Sequence, residues 1–196
     1  PAWGECQQTW KNIFPDYEYR LWTDEDLYDL VKNDFPDYLE MYERYNLNIC
    51  RIDVARPMIL YKHGGIYADL DVLCNRNFYD QLPKGASIVE SSHGDEIFQN
   101  SMMASDPGNE IWIEVLNNCY EELMYTTKND EILSFLNLEE GVIDEYNYDW
   151  SLEDKNPSIE IGKRVRELTG PISLSVIDNK VEKLPHEQWN PNHGHP

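Results

Sequence analysis

The sequence predicts an α/β fold, and three features of the 196-residue chain carry that prediction. Several segments repeat apolar residues at the spacing of an amphipathic helix, whereas others alternate apolar and polar residues as strands do. Glycine and proline residues separate the two kinds of segment. Helical and extended patterns alternate along the chain, which is typical of a sheet covered by helices. The length fits a single domain over residues 1–196.

The first third of the chain mixes helical and extended patterns. Residues 3–14 and 38–45 are predicted to be helices, and residues 17–22 alternate as a strand does. A further helix is predicted at residues 24–35, where Asp24 is of a type that caps helix N-termini.

The middle of the chain predicts a helix, a sharp turn and a strand. Residues 52–63 have a helical apolar face, and Gly64 and Gly65 end it. Pro57 fits this helix because it falls close to the first turn. Residues 66–73 then alternate as a strand does.

The second half continues the alternation. Strands are predicted at residues 87–90 and 98–104, and helices at residues 111–124 and 159–168. Residues 138–157 are acidic, rich in turn residues and interspersed with aromatic rings, so we expect a surface loop. Exposed aromatic rings can also stack on the faces of sugars, so the functional alternative is a wall that contacts a carbohydrate acceptor.

Composition excludes two classes of partner. Sixteen Lys and Arg residues stand against 37 Asp and Glu residues, which gives a net charge of −21. Nucleic acids and anionic membrane surfaces are repelled by such a charge. No stretch approaches 18 uncharged apolar residues, so no transmembrane segment is predicted.

The cysteines indicate neither a zinc cluster nor a disulfide framework, because they lie far apart and form no CxxC pair. We expect most of them to be buried thiols. The absence of an Asn-x-Ser/Thr sequon favours a cytoplasmic location. The N-terminus shows no basic and apolar signal segment, so we expect the chain as given to be soluble. The four cysteines are Cys6, Cys50, Cys74 and Cys119.

Asp69 and Asp71 are the first candidate site residues. On a strand, carboxylates at i and i+2 share a face about 6.5 Å apart along the chain. Such a pair can hold one hard divalent cation through oxygen ligands and leave positions open for substrate phosphates. A cation would also offset the cost of bringing a diphosphate near a chain of charge −21.

Asp53 and Arg56 form a second candidate pair. Their i, i+3 spacing places them on one side of the predicted helix. The carboxylate can accept hydrogen bonds from sugar hydroxyls, and the guanidinium can donate to sugar or phosphate oxygens. A local salt bridge within the helix is the alternative.

Both pairs belong to an ordered set of motifs, of which each alone is weakly specific. The set comprises residues 15–24, 51–56 and 60–71, followed by residues 99–105 and 169–174. In this order the chain resembles the DXD sugar-binding glycosyltransferases of family 32, which are related to yeast-type initiating mannosyltransferases and to bacterial capsule enzymes.

The resemblance implies a GT-A fold, a Rossmann-like mixed sheet flanked by helices. It implies retaining transfer of a hexose from a nucleoside diphosphate sugar to a glycan or other hydroxyl acceptor, as in polysaccharide biosynthesis. A UDP-sugar such as UDP-glucose is favoured over GDP-mannose as donor, with Mn²⁺ or Mg²⁺ as cofactor. Family members also occur in the Golgi lumen, which would apply here if an anchor was removed.

The resemblance also assigns roles by position. It implies that Asp69 and Asp71 hold the metal and the diphosphate, and that Asp53 and Arg56 grip the donor sugar. Asn100 would border the reacting sugar, although a strand-end amide that satisfies the backbone is an equal alternative.

Further positions complete the implied site. Gly65, Tyr67 and Leu70 fall in the donor-binding segment, and His193 or His195 would complete the metal shell unless the tail is simply a solvated terminus. The family's apolar leading strand would precede Trp3, so we expect that either the first strand of the domain lies outside this sequence or part of the nucleotide site is rebuilt.

Two other function classes fit parts of the pattern. A phosphohydrolase of the haloacid dehalogenase type uses a strand-end Asp-x-Asp, but it also needs a positioned lysine and a second acidic motif. A non-catalytic module that binds calcium or carbohydrate would use the acidic surface merely to hold ions.

Overall fold

The computed structural model describes residues 3–92, 96–128 and 157–189 of the chain. Short 3₁₀ helices at Pro36–Tyr38, Tyr79–Gln81 and Pro171–Ile177 link larger elements. In chain order these larger elements are α1 (Trp3–Ile13), α2 (Asp24–Asp34), α3 (Leu39–Arg44), α4 (Asn48–His63), β1 (Gly65–Ala68), β2 (Ala86–Glu90), β3 (Phe98–Ser105), α5 (Ile111–Lys128), α6 (Pro157–Leu168), β4 (Glu182–Leu184) and α7 (His186–Trp189).

A four-stranded mixed sheet lies at the centre of the described part of the chain. Its order is β1-β3-β2-β4; β3 pairs antiparallel with both β1 and β2, and β2 pairs parallel with β4. The helices flank this sheet. The prediction of an α/β fold with a mixed sheet flanked by helices is therefore confirmed.

Neighbouring strand residues enter two different cores because successive side chains point to opposite faces of a sheet. Ile88 and Met103 pack into the larger cluster, which contains the buried faces of α2, α3, α4 and α5. Val89 and Met102 face the smaller cluster, where Phe14 packs. The four cysteines are buried free thiols, as predicted.

Residues 17–22 do not form a strand, so that prediction is wrong. Alternation alone does not make a strand, because a strand also needs a neighbour for its backbone hydrogen bonds. The described residues provide none here. Side-chain packing orders the segment instead: the Tyr17 ring lies 5.4 Å from Phe14 and 5.0 Å from Tyr79, and the Arg20 guanidinium lies 3.6 Å from the centre of the Trp22 ring.

Helix α4 begins at Asn48, four residues earlier than predicted, and this corrects the account of Pro57. Pro57 lies in the helix interior rather than near its first turn. A proline there lacks the N–H that would bond the carbonyl four residues earlier, which is that of Asp53. The helix ends as predicted at Gly64, whose φ is 62° and where a Cβ would lie 2.7 Å from Pro107.

The start of α2 also differs from the expectation. Thr23, not Asp24, caps the helix: its hydroxyl accepts from the Asp26 N–H, while the Asp26 carboxylate accepts from the Thr23 N–H. This reciprocal arrangement is a capping box. The other predicted helices lie close to their predicted positions, with α5 extending to Lys128. Strand β4 and the short helix α7 were not predicted from the sequence.

The predicted loop at residues 138–157 lies outside the described residues, apart from Pro157, where α6 begins. Across the described ranges, no helix is both long and apolar enough to cross a bilayer.

Candidate active site

The Asp69-Leu70-Asp71 segment is a turn at the end of β1 and not part of the strand. β1 ends at Ala68, and the Asp69 N–H still donates to the Ser101 carbonyl of β3 at 2.9 Å. The Val72 N–H then donates to the Asp69 carbonyl at 3.1 Å, which closes the turn. The prediction of a strand to residue 73, with both aspartates on one strand face, is therefore wrong.

Arg56 connects this turn to helix α4. Its Nη2 lies 3.0 Å from Asp69 Oδ1, and its Nε donates to the Tyr67 hydroxyl at 2.9 Å. Tyr67 in turn donates to Asp69 Oδ1 at 2.8 Å. The guanidinium is planar and presents its donors in a fixed fork, so these contacts fix its orientation.

Asp53 holds the guanidinium from inside the protein. Its Oδ1 accepts from Arg56 Nη1 at 2.7 Å and from Asn100 Nδ2 at 2.9 Å. Its Oδ2 accepts from the Thr169 hydroxyl at 3.2 Å. Helix α4, strand β3 and the end of α6 thus meet at one buried carboxylate, which we call the Asp53 hub.

The negative charge of Asp53 is balanced by its direct contact with the Arg56 guanidinium. Burial raises the pKa of Asp53 to about 6, although Arg56 and the hydrogen bonds from Thr169 and Asn100 act in the opposite direction. Burial lowers the pKa of Arg56, but Asp53 and Asp69 outweigh it, so the net shift is upward. The guanidinium therefore keeps its positive charge.

Tyr67 remains a neutral donor between Arg56 and Asp69. Burial raises the pKa of its phenol above the ordinary value, and the nearby Asp69 raises it further although Arg56 lowers it. A protonated hydroxyl can accept from Arg56 and donate to Asp69 at the same time.

An open cavity of about 590 Å³ lies beside β1 and the turn. Arg56, Tyr67, Asp69 and Asp71 line it. This volume falls in the range of about 300–1,000 Å³ that is usual for small-molecule sites. At this wall the cavity offers the Arg56 guanidinium and the carboxylates of Asp69 and Asp71 to a small-molecule ligand.

The donor chemistry of the turn fits a hard divalent cation, because carboxylate oxygens are the ligands that Mn²⁺ and Mg²⁺ prefer. Asp71 is exposed, and its carboxylate makes no hydrogen bond or ion pair with the described residues. Across the described ranges no group of three or more His, Cys, Asp or Glu residues is arranged to hold a metal. Two carboxylates leave the remaining positions to substrate, water or other parts of the protein.

The structure brings most of the predicted site residues together but divides them into two layers. Asp69, Asp71, Arg56, Tyr67, Gly65 and Leu70 line the cavity. Asp53 and Asn100 are not among its lining residues and lie behind Arg56. Their contact with the donor sugar stays a prediction. His193 and His195 lie outside the described residues.

Sequence reasoning missed two features of the site. Tyr67 was included as part of the donor-binding segment, but its bridge between Arg56 and Asp69 was not foreseen. Thr169 was assigned no role, although its hydroxyl bonds Asp53 across 116 positions of sequence. Its place in the segment 169–174 was the only available signal.

A family model matches the first part of this chain. Residues 1–89 match a family model described as the glycosyltransferase sugar-binding region containing a DXD motif. That range includes Asp53, Arg56 and the Asp69-Leu70-Asp71 turn. The resemblance found in the sequence is thereby confirmed.

Curated relatives match more than half of the chain. Inositol phosphoceramide mannosyltransferase 3 of Schizosaccharomyces pombe is 40% identical over 116 residues, which are 59% of this chain and 32% of that protein. A mannosyl phosphorylinositol ceramide synthase of Saccharomyces cerevisiae is 34% identical over 116 residues, 59% of this chain and 30% of that protein. The matched stretch spans about a third of the length of these relatives.

Among solved structures, the PaToxG glycosyltransferase matches with a TM-score of 0.49 and 16% sequence identity. The match covers 89% of this chain and 52% of that one.

Proposed function

We propose that this chain, whose residues 1–89 carry the DXD sugar-binding region of a glycosyltransferase, transfers a hexose from a nucleoside diphosphate sugar to a hydroxyl acceptor. One observation carries the proposal. The Asp69-Leu70-Asp71 turn and the Arg56 guanidinium line the same cavity. Two carboxylates and one oriented guanidinium can therefore contact one ligand.

Each cavity residue has a role in this proposal. The Arg56 guanidinium donates to the hydroxyl or phosphate oxygens of the donor, and Asp53 and Tyr67 keep it from rotating. Asp69 and Asp71 would hold Mn²⁺ or Mg²⁺, and His193 or His195 is proposed as a further ligand. Such a cation, when bound, supplies positive charge opposite the leaving diphosphate.

The donor sugar we propose is mannose. Both relatives are named as proteins that act with mannosyl groups and inositol-containing ceramides. GDP-mannose is therefore the first donor to test, ahead of the UDP-sugars favoured by motif resemblance alone. A glycan or a glycolipid is the proposed acceptor, and the proposed stereochemical outcome is retention.

The test is hydrolysis of GDP-mannose, GDP-glucose, UDP-glucose and UDP-galactose, each with Mn²⁺ and without acceptor. We expect slow release of the sugar from one donor, loss of that release with excess chelator, and a retained anomer by NMR. Release of phosphate from a generic phosphomonoester, with no reaction of any sugar nucleotide, would instead support the phosphohydrolase alternative. That alternative needs a positioned lysine, and no lysine is among the described residues that line the cavity.

A calorimetric titration separates the proposal from the remaining alternative. A non-catalytic carbohydrate-binding module would bind glycans but neither GDP-mannose nor UDP-glucose, whether or not Mn²⁺ is present. A transferase should bind at least one of these nucleotides more tightly when Mn²⁺ is added.

A further inference from the structure

Thr169 contacts the Asp53 hub although it is remote in sequence from the rest of the site. It follows α6 directly, is 4% exposed and lies outside the stretch matched by the family model. Its hydroxyl lies 3.2 Å from Asp53 Oδ2 and 3.3 Å from the Val165 carbonyl oxygen. A threonine hydroxyl has one proton, so it can donate to only one of these acceptors at a time.

The backbone decides which acceptor receives that proton. The Val165 carbonyl already accepts from the N–H groups of Thr169 and Gly170, each at 3.0 Å. A carbonyl oxygen has two lone pairs, so both are in use. Asp53 Oδ2 has no partner other than Thr169 among the described residues. The Thr169 hydroxyl therefore donates its hydrogen bond to Asp53 Oδ2. The negative charge of this acceptor strengthens the hydrogen bond.

The position of the hydroxyl is fixed by close packing at the end of α6. A Cβ on Gly170 would lie 2.8 Å from Arg166 Cα, so only glycine allows the chain to leave the helix along this path. The Ser173 backbone N–H donates to the Gly170 carbonyl at 3.0 Å, so the backbone itself holds this turn. Thr169 thus approaches Asp53 from a rigid turn.

A neutral hydroxyl suits this position for an electrostatic reason. Arg56 already contacts two carboxylates, Asp53 and Asp69, within 3.0 Å. A second cation beside Asp53 would compete with Arg56 for that carboxylate, whereas a hydroxyl fixes Oδ2 without adding charge. With Oδ2 held, Oδ1 stays directed at Arg56 and Asn100.

We infer that Thr169 is a positioning residue: its hydroxyl orients Asp53, and through Asp53 it fixes the Arg56 guanidinium at the cavity wall. This inference deepens the proposed function and rests on it for the effect on catalysis. The orientation of Arg56, however, can be measured without any reaction.

The experiment compares three single variants of the full chain. Thr169→Val has the shape of threonine but no hydroxyl, and Thr169→Ser restores the hydroxyl. Ser173→Ala is the matched control, because it removes a buried hydroxyl from the same segment without touching Asp53. If the valine variant does not fold, Thr169→Ala takes its place.

The first readout is the Arg56 Nε–Hε resonance in ¹⁵N-labelled protein. We expect Thr169→Val to shift it and to accelerate its exchange with water, because the guanidinium loses its fixed partner. Thr169→Ser and Ser173→Ala should keep the wild-type resonance. An unchanged resonance in Thr169→Val, or the same change in Ser173→Ala, would overturn the inference.

The second readout is hydrolysis of GDP-mannose with Mn²⁺. Loss of one hydrogen bond that aligns a catalytic group predicts a fall in kcat of about tenfold for Thr169→Val. KM should stay within about twofold, and Thr169→Ser should recover most of the rate. Wild-type kcat in Thr169→Val would overturn the inference.

The two readouts distinguish the two proposals. A wild-type chain that hydrolyses none of the sugar nucleotides contradicts the proposed function, while the Arg56 resonance still decides the role of Thr169. An active wild type with both readouts unchanged in Thr169→Val contradicts only the inference.

Discussion

The two sides of Arg56 differ in how their carboxylates are used. On the inner side, Asp53 has both oxygens occupied and its side chain is only 4% exposed. On the cavity side, the Asp69 side chain is 27% exposed and Asp71 is exposed. The contrast indicates that one acidic residue orients the guanidinium, whereas the others are placed to meet a ligand.

Removing Arg56 should have the largest effect, because its side chain contacts carboxylates on both sides. Arg56→Met leaves Asp53 buried without its counter-charge, and loss of one partner of a buried pair costs about 3–5 kcal/mol of unfolding free energy. Denaturant unfolding measures the change. Arg44→Met is the control, because Arg44 pairs with Glu40 at the surface and its loss should cost less than about 1 kcal/mol. Equal losses in the two variants would contradict the burial argument.

Changing the cavity side should affect reaction and not folding. We expect Asp71→Ala to lower sugar-nucleotide hydrolysis by about 10²-fold or more, the scale for losing one electrostatic stabiliser. Its unfolding midpoint should match the wild type because the side chain is exposed and makes no ion pair with the described residues. Asp29→Ala, an exposed aspartate on α2, serves as control. Full activity of Asp71→Ala in the presence of chelator would exclude the proposed mechanism.

The Tyr67 hydroxyl contacts both Arg56 and Asp69. Its removal therefore tests whether the orientation of Arg56 depends on the cavity side. Tyr67→Phe removes the acceptor of Arg56 Nε and a donor to Asp69. Hydrolysis should fall about tenfold, since one hydrogen bond near a charged group is worth about 1.4 kcal/mol. In Tyr28→Phe, which loses an exposed bond to Glu43, the rate should not change. A Tyr67→Phe rate equal to the wild-type rate would show that the two sides act independently.

The smallest expected effect is a pH dependence that arises on the inner side. The folded-state pKa of Asp53 is raised to about 6 from 3.8, so between pH 4 and 6 the folded state binds more protons than the unfolded state. Stability from this group is therefore gained as pH falls and lost as pH rises through about 6. Relative to Asp53→Asn, the wild-type unfolding free energy should rise by about 1 kcal/mol from pH 7 to pH 5. A constant difference across that range would contradict the raised pKa.

The secondary structure was predictable where the apolar side of a local pattern faces a core in the folded chain. Helices α1, α2 and α5 lie close to their predicted positions because their apolar stripes face a core. Residues 17–22 alternate as clearly as a strand does, yet they lack a pairing neighbour among the described residues. Alternation predicts which residues could face a core, but backbone hydrogen bonds decide whether a strand exists.

The candidate site was predictable to a similar degree. Asp53 and Arg56 were paired from their spacing, and the structure joins them at 2.7 Å. Asp69 and Asp71 were assigned to a strand face, but they lie on a turn, because β1 is only four residues long. No spacing rule could connect Thr169 to Asp53, since 116 positions separate them.

The sequence by itself determined the residue types that meet at the cavity, their order along the chain and the strong negative charge of the protein. Only the tertiary structure decided which carboxylate is buried and which is exposed. The reason is that burial and hydrogen-bond partners come from segments distant in sequence, here α4, β3 and the end of α6, which meet only when the chain is folded.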